Sequence, residues 1–116
     1  MSGKRNNPHS LKLDRIIHEP ARLQIISYLA GDARAVPFSE LNEKLGLSAG
    51  NLSVQLKRLE DVGYVSIVKS FRDNRPLTAV TLTRSGFDAL QVYLQQLESI
   101  INQLKETIPA GEKDKN

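Results

Sequence analysis

The tightest constraint on how this chain can fold lies between residues 45 and 49. One amphipathic run ends at Leu45 and another opens at Ala49, so only Gly46, Leu47 and Ser48 are left to turn the chain between them. Gly46 tolerates the left-handed conformation that closes a helix, and the Ser48 hydroxyl can accept from an orphan N–H in the first turn of the next. The first helix is expected over residues 40–45 with Ser39 as its cap. The second is expected from Ser48 to about Val62, where Gly63 stops it and Tyr64 and Val65 stand in place for the apolar contact that often seals such an end. Two helices about a tight glycine turn follow.

With Leu52 at zero and about 100° per residue, Leu56 and Leu59 fall beside it, while Gly50, Val54, Lys57 and, more laterally, Ser53 face away. No acid occurs between Glu43 and Glu60, although the dipole at a helix start favours one. The outer face is thus kept free of negative charge. The net charge of the chain is only +3, but residues 44–83 hold six Lys/Arg against three Asp/Glu, so the surplus sits around this helix.

Other classes are excluded by what the chain lacks. At 116 residues and 40% hydrophobic it is sized for one domain with a modest core. It has no apolar run of about 18 residues, and MSGKRNNPHS lacks the apolar stretch of a signal peptide, so a soluble, cytoplasmic protein without a membrane association is expected. The absence of cysteine removes disulfides, thiolate metal sites and cysteine nucleophiles, and His9 and His18 are the only imidazoles. Asp14 and His18 stand at i and i+4, but without a third ligand they read as a surface pair. No nucleophile elbow, phosphate loop or carboxylate pair is present. Neither an enzyme, a cofactor nor a metal is expected.

Residues 1–10 read as a flexible arm, followed by a short helix over 11–18. Pro20 suits the first turn of a helix that carries Leu23, Ile26, Tyr28 and Leu29 to about Ala30, with Gly31 and Asp32 ending it. A short extended piece covers 35–38. YVSIVKSF and PLTAVTLT are β-rich runs in which Val65 and Ile67, then Val80 and Leu82, alternate; FRDNRP lies between as a hairpin loop with Arg72 and Arg75 near its tip. Thr83 caps a last helix over 84–108, and Pro109 and Gly111 mark its end before a disordered tail, 109–116. Along that helix Phe87, Leu90, Leu94, Leu97, Ile101, Leu104 and Ile108 follow alternating spacings of three and four, widened by Tyr93 and Ile100. This heptad seam runs for about 33 Å at 1.5 Å per residue, which points to a homodimer interface.

Helix, glycine turn, helix, then a hairpin with a basic tip is the order of a winged helix-turn-helix, an α+β, mainly α fold. Residues 11–83 would form the reading head and 84–108 the dimerisation helix. Gly50 costs about 1 kcal/mol relative to Ala in a helix, which makes sense where the backbone must approach another surface. The Asn51 and Gln55 amides can read an adenine edge, Ser53 can donate, and Val54 can meet a thymine methyl, although Gln55 lies nearer the core. Ser48, Lys57, Arg58, Lys69, Arg72 and Arg75 are the candidates for the DNA backbone.

LDRIIHEPARLQIISYL, FSELNEKLGLSAGNLSVQLKRLEDVGYVSIVKSF and RPLTAVTLTRSGFDAL resemble small winged-helix transcriptional regulators of the broad MarR/ArsR type over roughly residues 13–90. The resemblance implies that the helix carrying GNLSVQL reads the major groove of double-stranded DNA and that terminal helices hold a dimer, with repression as the expected outcome. It leaves room for a small-molecule effector of unstated chemistry. Many relatives carry His where Gln55 stands, so base preference does not transfer, and the lack of cysteine separates the chain from the metal-sensing branch. A winged helix serving as a protein-interaction adaptor is the alternative.

Overall fold

The structure is a computed structural model that describes residues 12–107; the expectations for the arm 1–10, for Ile108 and for the tail 109–116 lie outside the described residues. In chain order the elements are α1 (Pro20–Ala30), β1 (Val36–Pro37), α2 (Phe38–Leu45), α3 (Ala49–Asp61), β2 (Val65–Arg72), β3 (Arg75–Leu82) and α4 (Arg84–Thr107). The strands form one antiparallel sheet in the order β1-β3-β2. This is a winged-helix fold with a long C-terminal helix.

Local chemistry sets most of these boundaries. The Ser48 hydroxyl accepts from Asn51 N–H at 3.1 Å and opens α3. Gly46 and Gly63 adopt φ of 68° and 83° at the ends of α2 and α3, the left-handed region where a side chain would be strained. Thr83 caps α4 by accepting from Gly86 N–H at 3.0 Å, and its hydroxyl donates to Gly63 O at 2.7 Å, which ties the start of α4 to the end of α3.

Three expectations are corrected. The helix expected over 11–18 is, over its described part, a single turn: the Asp14 carboxylate caps it by accepting from Ile16 and Ile17 N–H, and it stops at Glu19, which is extended because Pro20 follows it. Ser39 lies inside α2 rather than capping it; extended Pro37 precedes the helix, with no side-chain cap. The wing turn is much tighter than the FRDNRP loop. Pairing continues to Arg72↔Arg75, so Asp73 and Asn74 alone make the turn, both at positive φ (53° and 63°) as a two-residue hairpin requires.

The core forms where α1, α2, α3 and the sheet meet. Ile25, Ile26, Leu41, Leu52, Leu59 and Val80 are fully buried there. As the periodicity of α3 predicts, Leu52, Leu56 and Leu59 all face inward. At about 25 cal/mol per Å² of apolar surface, each such side chain contributes roughly 1.5–3 kcal/mol. The α4 seam divides. Leu90 and Tyr93 are buried in the chain's own core and Leu97 packs partly against it, whereas Phe87, Leu94, Ile101 and Leu104 are exposed. Leu90, expected along the dimer seam, is thus occupied in the chain's own core. Gly86 lets α4 dock: a Cβ there would lie 2.2 Å from Tyr64 O.

Candidate nucleic-acid interface

Capped by Ser48 and anchored by three leucines, α3 presents its remaining side chains outward. Gly50, Asn51, Ser53, Lys57 and Arg58 are exposed, Val54 is 56% exposed, and the first turn contains no acid. A Cβ added at Gly50 would meet nothing within 4 Å among the described residues, so their packing does not demand glycine there. The face is open, small and free of carboxylates over its first three turns.

The two flanks of α3 differ. On the α1 side, Gln55 is half-buried; its Oε1 accepts from Arg22 Nη1 at 2.6 Å and its Nε2 donates to Asn51 Oδ1 at 3.0 Å. Arg22 is itself 8% exposed and donates from Nε to Ile16 O at 2.6 Å. Among the described residues no carboxylate forms an ion pair with it. Gln55, expected among the base readers, is thus also held between a buried guanidinium and Asn51. The burial of Arg22 leaves no mark in the sequence, because an arginine on an amphipathic helix is normally a surface residue. A buried cation behind the start of α3 raises the local potential for an anion, and the chain of hydrogen bonds fixes where the Asn51 amide points.

On the other flank, α3 and the wing enclose an open groove of about 640 Å³ lined by the apolar Phe38, Leu56 and Ile67 and by the polar Ser53, Lys57, Glu60, Lys69 and Thr78. Lys57 pairs with Asp61 at 3.1 Å, and that hydrogen-bonded carboxylate holds the lysine pKa above its ordinary value. The pair is exposed, so it contributes little to stability and its lysine can be exchanged to another anion. Arg72 and Arg75 face each other across the wing turn, both exposed, with Lys69 further up β2. The basic side chains of the wing therefore flank α3, whose own Lys57 and Arg58 lie in its C-terminal half.

Other polar clusters lie apart from this face. Glu40 accepts from the Tyr28 hydroxyl and from Arg34 Nη2 at 2.8 Å; the tyrosine first, then the guanidinium, hold its pKa below the ordinary carboxylate value. Burial, followed by the hydrogen bond it donates to Asp14, pushes the Tyr64 hydroxyl up to about 12. His18 Nδ1 lies 2.7 Å from the Tyr93 hydroxyl and so is engaged structurally. Among the described residues no group of three metal-ligating side chains occurs, and no helix is long and apolar enough to cross a membrane.

A capped helix presented by a glycine turn, beside a basic two-stranded wing, defines a winged helix-turn-helix of the DNA-binding class. A family profile described as a winged helix DNA-binding domain matches residues 21–101, and the chain belongs to that family, which is DNA-binding and non-enzymatic. It is 34% identical over 83 residues to an uncharacterised protein, MJ0432, of Methanocaldococcus jannaschii, covering 72% of this chain and 89% of that one. Its fold is similar to a transcriptional regulator homologue from Pyrococcus horikoshii OT3, with a TM-score of 0.74, 29% identity and coverage of 89% and 98% of the two chains. A mutant of MepR from S. aureus, whose structure is bound to an oligodeoxyribonucleotide, shares the fold at a TM-score of 0.66 and 15% identity, over 88% of this chain and 77% of that one.

Proposed function

We propose that this chain is a sequence-specific, double-stranded DNA-binding transcriptional regulator that acts as a homodimer and represses by occluding its site. The observation that carries the reading is the outer face of α3, where Gly50, Asn51, Ser53 and Val54 stand exposed on a helix start without acids. Such a face fits the major groove, with Asn51 positioned for an adenine edge, Ser53 for a base or phosphate and Val54 for a thymine methyl. Ser48, Lys57 and Arg58 meet phosphates, and Lys69, Arg72 and Arg75 carry the wing to the backbone or minor groove. The fold shared with MepR, whose structure is bound to an oligodeoxyribonucleotide, supports the DNA-binding reading.

Phe87, Leu94, Ile101 and Leu104 leave the outer side of α4 apolar and exposed, which suits pairing with a second copy. A dimer sets two copies of α3 in successive major grooves about 34 Å apart. Selection of bound fragments from random duplex DNA, repeated at several salt concentrations, tests the proposal. The expected result is an enriched sequence with two half-sites about one helical turn apart and affinity that falls steeply with salt. Recovery of no preferred sequence, with binding indifferent to salt, would overturn it in favour of a protein-interaction adaptor.

A further inference from the structure

One side chain of the wing belongs neither to the core nor to the basic set. Phe71 is 76% exposed, the highest value among the exposed large hydrophobic residues of the described chain. Strand register fixes which way it faces. β2 and β3 pair Phe71 with Pro76, Lys69 with Thr78 and Ile67 with Val80. Because side chains alternate, these three pairs share one face of the hairpin, while Arg72 and Arg75 begin the other. The shared face is the inner one: Val80 is fully buried, and Ile67, Lys69 and Thr78 form the wing wall of the groove opposite Ser53 and Lys57 of α3. Phe71 and Pro76 prolong that wall past the end of the groove, where both are exposed among the described residues.

Pro76 suits this position. A two-residue turn makes Arg72↔Arg75 the hydrogen-bonded pair, so Phe71↔Pro76 is the next, non-hydrogen-bonded pair, in which opposing side chains come closest. The missing proline N–H then removes no bond between the strands. An apolar Phe–Pro tip results, on the side of the wing that faces Lys57 and Glu60 and carries Lys69, with Arg72 and Arg75 flanking Asp73 and Asn74 at the turn beside it.

We propose that Phe71, backed by Pro76, is an apolar contact to duplex DNA that seats against sugars and base edges in the minor groove while the flanking cations hold phosphates. The inference rests on the DNA-binding reading above and adds to it a contact that no charge pattern reveals. An aromatic ring placed there contributes affinity and sensitivity to minor-groove width without displacing counterions. A cationic contact, by contrast, changes the salt dependence by about one unit of slope for each phosphate neutralised.

That difference supplies the test. Binding of one duplex is measured as a function of salt for the wild-type chain, for Phe71→Ala and for the double variant Arg72→Ala/Arg75→Ala, with thermal melting confirming that each is folded. The chain contains no tryptophan, so Phe71→Trp adds a single fluorescent reporter at the proposed contact. Phe71→Ala should weaken binding by about tenfold at every salt concentration with an unchanged slope, the double arginine variant should lower the slope, and the indole emission of Phe71→Trp should be quenched by duplex. Wild-type affinity in Phe71→Ala together with unchanged indole emission in Phe71→Trp would overturn the proposal while leaving the DNA reading intact. A reduced slope in Phe71→Ala would also overturn it, because the ring would then act by arranging the arginines. Failure of the wild-type chain to bind duplex would remove both readings.

Discussion

Replacing Gly50 with alanine should make the chain more stable and a poorer DNA binder. An alanine Cβ at this position meets nothing within 4 Å, and the residue lies in the first turn of α3. Alanine is favoured over glycine by about 1 kcal/mol in a helix interior and by roughly half that near a helix start, so Tm should rise by about 2–4 °C. Against duplex DNA the same methyl projects from the middle of the outer face. A helix with side chains is about 10–12 Å across and the major groove is about 12 Å wide, which leaves little room to spare. A methyl group that forces α3 outward lengthens the base-edge hydrogen bonds of Asn51 and Ser53, and losing one or two at about 0.5–1.5 kcal/mol each weakens binding roughly tenfold. Calorimetric melting and fluorescence anisotropy on one duplex at fixed salt read the two effects. A raised Tm with unchanged affinity would show that the outer face of α3 does not lie against DNA.

Three further outcomes follow from the packing. Gly86→Ala should destabilise the chain, because its Cβ would fall 2.2 Å from Tyr64 O and 2.7 Å from Leu82 Cδ1; overpacking of about 1–3 kcal/mol exceeds the gain in helix propensity, and a drop in Tm measures it. Arg22→Ala leaves Ile16 O and the Gln55 amide without their donor, a loss of about 1–3 kcal/mol visible in urea unfolding, and should also relax the base preference supplied by Asn51. Tyr64 has a pKa raised from 10.0 to about 12, so its contribution to stability is fully present below pH 10 and is lost as pH rises through about 12; Tyr64→Phe should flatten the alkaline limb of the stability curve over that window.

The elements most legible in the sequence are those whose ends are set by neighbouring residues. Gly46, Ser48, Gly63 and Thr83 act on backbone groups a few positions away, so α3 and the start of α4 fall where the residues place them. The turn at Asp14 was less legible, because it opens with the same side-chain cap that a longer helix would have and is cut short only by extended Glu19 before Pro20. Wing length was hidden by Arg72, Asp73, Asn74 and Arg75, which look like loop residues but include a left-handed pair that closes a two-residue turn. Spacing along α4 is identical for side chains that pack at home and those that face outward, so the heptad could not separate Leu90 from Leu94. Gln55 and Arg22 meet only through the tertiary packing of α1 on α3, which no local pattern encodes. Their partnership links Gln55 to a buried cation as well as to Asn51.

Chemical-shift mapping of the isotope-labelled chain during titration with duplex DNA tests most directly whether α3 and the wing form one DNA face. Amide shifts should concentrate at residues 48–58 and 69–76, with the outer side of α4 unaffected by DNA itself. Shifts centred on α4 or α1, with residues 48–58 silent in a complex that has formed, would contradict that arrangement.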